Sequence, residues 1–346
     1  MKRRLICICL SLLWFSGCYL IQQGKGQLEL RYGQIPITEA EKQEPNPAYR
    51  ALFREIPRIK AFAEERLLLK KSENYTGYYE TAQAGVTFVV TASPRNNLNP
   101  YTWWFPIIGS VPYKGYFDEK DARELERELQ DQGYDTWVFA APTYSTLGWF
   151  KDPVVTPMLR RGHYYLASTI IHEMTHQTLF VSGQNEFNER LAAFVGQTGA
   201  LQYFREIQQL NREQLLVLEE KIKKAKQFAD TVHQYLPRFQ ELYDRQQPVV
   251  ATLKQREILF TELSGEIGRL YPHLPKSRLI FNNARLLQYR RYTPDAPVIR
   301  RMWQDSGHDW KRFWELVKAH VEDLQSDKNN RMQTVTRLVE NNSDWE

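Results

Sequence analysis

Ile170-Ile171-His172-Glu173-Met174-Thr175-His176-Gln177 is the stretch that decides how this chain is read, together with Asn188-Glu189-Arg190-Leu191-Ala192 downstream. In a helix, side chains four positions apart lie one turn above another on the same face. His172 and His176 can therefore offer two imidazole nitrogens to one metal ion. Glu173, one step round the helix, can reach a water on that metal and act as general base. The residues before the pair, Tyr164 to Ile171, are apolar enough for a central buried helix. Two imidazoles and a carboxylate are costly there unless they are bonded to something. The plainer alternative is a pair of satisfied histidines on a buried helix.

A catalytic zinc takes three protein ligands and keeps one position for water, so a third donor is expected nearby. Ser182-Gly183 reads as the stop of the first helix, and Asn185 or Asn188 as the cap of a second. On that second helix Glu189, Ala192, Ala193 and Gly196 share one face. A single carboxylate among small residues allows close approach to the first helix. Glu186 competes as a ligand but precedes the small-residue face, so Glu189 is the preferred third ligand. Its plainer reading is a solvated acid at a helix start.

The H-E-x-x-H run with a downstream N-E-x-x-A resembles the gluzincin superfamily of zinc peptidases, whose third ligand is a Glu on a following helix. The chain is more closely similar to a zinc aminopeptidase family of bacterial lipoproteins. Gly17-Cys18-Tyr19, Phe105-Pro106-Ile107, Tyr113 to Phe117, Tyr144 to Phe150, Phe187-Asn188-Glu189 and Asn282-Asn283-Ala284 carry that likeness. It implies one Zn2+ held by His172, His176 and Glu189, a peptide substrate and aminopeptidase specificity. It also points to Tyr292, by its offset from Asn282-Asn283, as donor to the oxyanion that forms during attack. Tyr289 and Tyr144 are the other phenols in view. The Thr143–Phe150 segment resembles the strand on which zinc peptidases hold extended substrate, with Tyr144, Gly148 and Trp149 as the contacts. An aromatic core strand is the alternative.

Targeting is written at the N-terminus. Lys2-Arg3-Arg4 precedes an apolar run from Leu5 to Phe15 and then Ser16-Gly17-Cys18, the shape of a secretory signal. Small residues before a cysteine resemble a lipobox, with residues 1–17 removed and Cys18 becoming the lipidated first residue. An uncleaved membrane anchor is the alternative, and both place the domain outside the cytoplasm. Tyr19 suits outer-membrane sorting where two membranes are present. All three cysteines lie within the first 18 residues. No disulfide-linked partner and no cysteine nucleophile are therefore expected. The net charge is +5, and removing Lys2, Arg3 and Arg4 leaves about +2, which argues against nucleic acid as a partner.

Along the chain, residues 18–46 read as a polar, irregular lipidated tether and 47–325 as the metallopeptidase domain. Ala48 to Lys70 has helical spacing, with Pro57 expected to kink or split it. Val86–Ala92, Trp103–Val111 and Tyr134–Ala141 read as strands. Asp118 should cap a helix that Gly133 ends. Residues 205–270 carry a heptad stripe from Leu215 to Tyr243, broken by Pro237 and Pro248, which predicts a long helical hairpin. Trp310–Leu324 reads as a closing helix and 326–346 as a mobile tail. His233, His273, His308 and His320 lack paired spacing and read as structural. The expected fold is α+β and helix-rich: a zincin-like domain with a small mixed sheet over the motif helix and long C-terminal helices. The expected activity is zinc-dependent peptide hydrolysis. The rivals are endopeptidase action and a non-catalytic, lipid-anchored binding or scaffold protein with a structural metal.

Overall fold

Three clusters of apolar side chains, each built by a different stretch of sequence, organise the fold in the computed structural model. The described residues are 19, 22–105, 109–143, 151–291 and 297–341. The fold is α+β and rich in helix, with three small sheets. The β-branched and aromatic run after Gly85 forms β3 (Thr87–Pro94), which pairs antiparallel with β6 (Lys114–Tyr116) and with β7 (Tyr134–Ala141). Between the last two lies α4 (Glu119–Asp131), whose first turn is capped by the Asp118 side chain, which accepts from the Lys120 amide. Phe88, Val90 and Val138 on the sheet meet Ala122 and Leu129 of α4 in one small core. The Trp103–Val111 stretch is not one strand: β4 (Trp103–Phe105) pairs antiparallel with β5 (Gly109–Val111).

The largest core surrounds the motif helix. A mixed sheet places β2 (Gly77–Tyr79) between β1 (Ile35–Pro36), antiparallel to it, and β8 (Val154–Val155), parallel to it. From β8 the chain enters α5 (Thr156–Arg160) and then α6 (His163–Thr178), which carries the motif. The next helix is α7 (Asn185–Glu206). α3 (Pro47–Glu65) packs on both and is continuous through Pro57, which lies on its exposed face. There solvent can replace the donor that proline lacks.

Residues 22–43 are not an irregular tether. They form α1 (22–32), β1 and α2 (Ile37–Gln43), and bury Leu30, Ile37 and Ala40 in the large core. Apolar residues spaced singly among polar ones carry little periodicity, so their burial is set by the partner surface. At the other end α12 (Trp310–Asn341) runs on past Leu324 through much of the segment read as a tail. No Gly or Pro follows Trp310 to break it. Trp310, Phe313, Trp314 and Val317 seat its first turns in the large core.

The expected hairpin is α8 (Arg212–Asp244) and α9 (Val249–Leu270), turning at Pro248. With α10 (Asn283–Arg291) it encloses the third core, built around Phe239, Phe260 and Leu286. A buried polar knot ties this unit to the β3–β7 sheet. Arg256 Nη2 donates to Asp135 Oδ2 at 2.8 Å, and the same oxygen accepts the Asn283 amide at 2.9 Å. Asn283 Nδ2 donates to the Pro94 and Asn97 carbonyls, and its Oδ1 accepts from Tyr243. Asn282 Oδ1 accepts the Arg285 amide and so caps α10, while its Nδ2 holds the Thr136 carbonyl. The Asn-Asn-Ala segment thus welds three helices to a sheet.

Candidate metal centre

α6 is buried almost all round: Leu166, Ala167, Ile170, Ile171 and Met174 are inaccessible. It ends at Thr178, earlier than the Ser182-Gly183 stop read from sequence, and Gly183, at φ +77°, serves the connecting turn instead. Gln184 stands at the N-cap of α7, with no side-chain cap hydrogen bond. Asn188 reaches back and grips Val181 twice, accepting its amide and donating to its carbonyl, both at 2.9 Å. This pinch fixes how α7 leaves the turn, one residue before Glu189. Further along, an added Cβ on Gly196 would stand 2.6 Å from the Ser168 carbonyl and 3.1 Å from His172 Cβ. The two helices therefore cross at backbone contact, which the small-residue face predicted.

That crossing brings three donors to one point. His172 Nε2 and His176 Nε2 are 3.1 Å apart. Glu189 places Oε2 3.6 Å from the first and Oε1 3.5 Å from the second. Two ligands each about 2.1 Å from a tetrahedral zinc stand about 3.4 Å apart, so these separations fit one ion. Among the described residues this is the one such group of histidine and carboxylate donors. Glu186 is outside it, paired with Arg190 one turn on. Burial opposes charge on both rings. At His172 the Glu189 hydrogen bond and the Glu173 and Glu189 charges outweigh burial and raise the pKa. At His176 burial and the His172 charge push it down to about 4, against Glu189. Burial thus favours the uncharged imidazole at His176, the form in which a histidine ligates a metal.

Residues 18–333 match the protein-family model described as "Putative aminopeptidase". The chain belongs to that family. No curated protein and no solved structure matches it. Membership covers the whole arrangement, from α1 to the first three-quarters of α12. In this aminopeptidase-family chain Glu173 is buried on the α6 turn that bears His172, and its charge acts on that ring.

Sequence reading passed over Tyr75. It is buried, adopts φ +61°, and its amide donates to the Asp152 carbonyl at 2.7 Å. A left-handed aromatic residue is a strained one. Burial, reinforced by the Glu173 and Asp152 charges, holds its phenol protonated far above the usual range. The only sign of it in the sequence is an aromatic residue inside a turn. Asp152 is buried and accepts from Asn74 Nδ2 at 3.1 Å. Its carboxylate serves that turn. Tyr144, Gly148, Trp149, Tyr292 and Cys18 lie outside the described residues. The Tyr289 ring packs on Phe228 and Phe281 in the α8–α10 core. His308 and His320 stack on Trp303 and Phe187, and His233 faces the Tyr289 carbonyl.

Proposed function

We propose that this chain is a zinc-dependent aminopeptidase of the cell envelope, anchored through a lipid on Cys18. The observation that carries the catalytic part is the convergence of His172, His176 and Glu189 beside a buried Glu173. A His2Glu donor set is that of hydrolytic zinc sites with an open fourth position. Zinc held there supplies Lewis acidity, acidifying water and polarising a carbonyl. Glu173 takes the proton of the water as its oxygen bonds to the peptide carbon. The same carboxyl then protonates the nitrogen as the C–N bond breaks, so the proton balance closes on one residue. Asn188 and Gly196 hold the geometry by fixing α7 against α6. Tyr292 is the proposed oxyanion donor, and Tyr144, Gly148 and Trp149 the proposed substrate contacts.

The test is Glu173→Gln with zinc content and N-terminal trimming of a peptide library measured on the same sample. Retained zinc with lost trimming is the expected result. Zinc in the unsubstituted protein without cleavage of any peptide would overturn the reading in favour of a structural metal. Internal cleavage without trimming would make it an endopeptidase.

A further inference from the structure

The residue that follows Cys18 is not free. Tyr19 donates its hydroxyl to the Gly115 carbonyl at 3.0 Å, and Gln23 Nε2 donates to the same oxygen at 3.1 Å. The Tyr19 ring lies 5.4 Å from Tyr116 and 6.0 Å from Phe105, with Lys114 Nζ 4.3 Å above it. Tyr19 and Gln23 are thus seated on β6, with Phe105 of β4 against the Tyr19 ring. Consecutive Cα atoms are about 3.8 Å apart, so a lipid on the residue before Tyr19 would be attached one residue from this contact. Next to it Trp104 is 70% exposed and Tyr113 41%. Residues 96–113 include no charged side chain, and Lys114 follows them.

We propose that Trp104 of β4 and the adjoining Tyr113–Lys114 corner form the face that rests on the bilayer, with Trp104 and Tyr113 in the headgroup region. The proposal rests on the lipid-anchor reading of Cys18. Given that anchor, the argument is one of reach: a domain that seats Tyr19 directly on its own surface has no slack with which to stand off. The side chains within that reach are the ones that favour a membrane interface, amphipathic aromatic rings beside a cation.

No cysteine follows Cys18, so single-cysteine labelling is clean. Trp104→Cys, Tyr113→Cys and, as control, Leu216→Cys would be made in the full-length, membrane-processed protein and labelled with a fluorophore. Leu216 is 56% exposed, about 40 Å along α8 from Tyr243, which touches the sheet-bound Asn283. The labelled proteins go into phosphatidylethanolamine–phosphatidylglycerol vesicles carrying a shallow nitroxide lipid. Quenching at 104 and 113 several-fold stronger than at 216 is the expected result. Equal quenching at all three sites, on vesicle-bound protein with lipid on Cys18 by mass spectrometry, overturns the membrane face and leaves the anchor standing. Shielding at 104 and 113 without quenching by the lipid also overturns it, in favour of a protein partner on that face. Soluble protein with an unmodified Cys18 overturns the anchor, and this proposal with it. Wild-type zinc content in each variant confirms the fold, and the 113 label serves if the 104 variant fails it.

Discussion

A carboxylate next to a metal-binding histidine has one chemical task that its amide cannot perform, which is to accept and return a proton. Glu173→Gln keeps the size and the hydrogen-bonding capacity of the side chain. It should therefore leave zinc content unchanged and lower kcat by about 10^2–10^4-fold, the usual worth of general acid–base catalysis. A fall in kcat of less than tenfold at full zinc occupancy would remove Glu173 from the mechanism. Glu173 and the histidine pair were legible because helical spacing is local: four residues on one chain dictate a shared face. Tyr75 was not legible. Its burial and its place beside Asp152 depend on residues almost eighty positions apart, held by the paired Asn74–Asp152 hydrogen bonds. No local pattern announces such a contact.

Between elements, geometry rests on a few close approaches. Gly196→Ala would push a methyl group against the Ser168 carbonyl and His172 Cβ. The expected cost is about 1–3 kcal/mol of stability, together with weakened zinc affinity as α7 moves off α6. Chemical denaturation and zinc titration read the two effects, and an unchanged zinc affinity would show that the crossing does not set the site. Asn283→Ala removes three hydrogen bonds from the polar knot and strands the Tyr243 hydroxyl and the Pro94 and Asn97 carbonyls. It should cost about 1–3 kcal/mol for each buried group left unsatisfied, read as an earlier urea midpoint without loss of the metal ligands. The α6–α7 pair was legible as a small-residue face and the α8–α9 hairpin as a heptad stripe, because periodicity reports the buried side of a helix. The Asn188 pinch read as a cap, since the same side chain suits either role and only the path of the turn decides. The role of Asn282-Asn283 was invisible because its partners lie on β3, β7 and α8.

For the molecule as a whole, stability should respond to acid through a histidine away from the metal. His163 opens α6 and packs on Phe204, with Nε2 3.7 Å from Glu55 Oε2. Glu55 also meets Arg58 and the Tyr203 hydroxyl. Burial lowers the His163 pKa, and the Glu55 charge only partly opposes this. The folded state therefore resists protonation that the unfolded chain accepts near pH 6.5, so this contribution is intact above that value and is lost as pH falls through the folded pKa. Between about pH 7.5 and pH 5.5, zinc-saturated wild type should lose more stability than His163→Gln, and parallel losses would contradict the assignment. The helix-rich α+β plan was legible from element lengths, whereas the docking of residues 22–43 was not, because single apolar residues acquire meaning only from the core they meet. The central claim is that α6 and α7 hold one metal ion between them. Anomalous diffraction at the zinc edge tests it most directly: the account predicts one strong peak per chain, within about 2.0–2.2 Å of His172 Nε2, His176 Nε2 and a Glu189 carboxylate oxygen. A zinc-soaked crystal with no peak there, or with Glu189 turned away from the histidine pair, would contradict it.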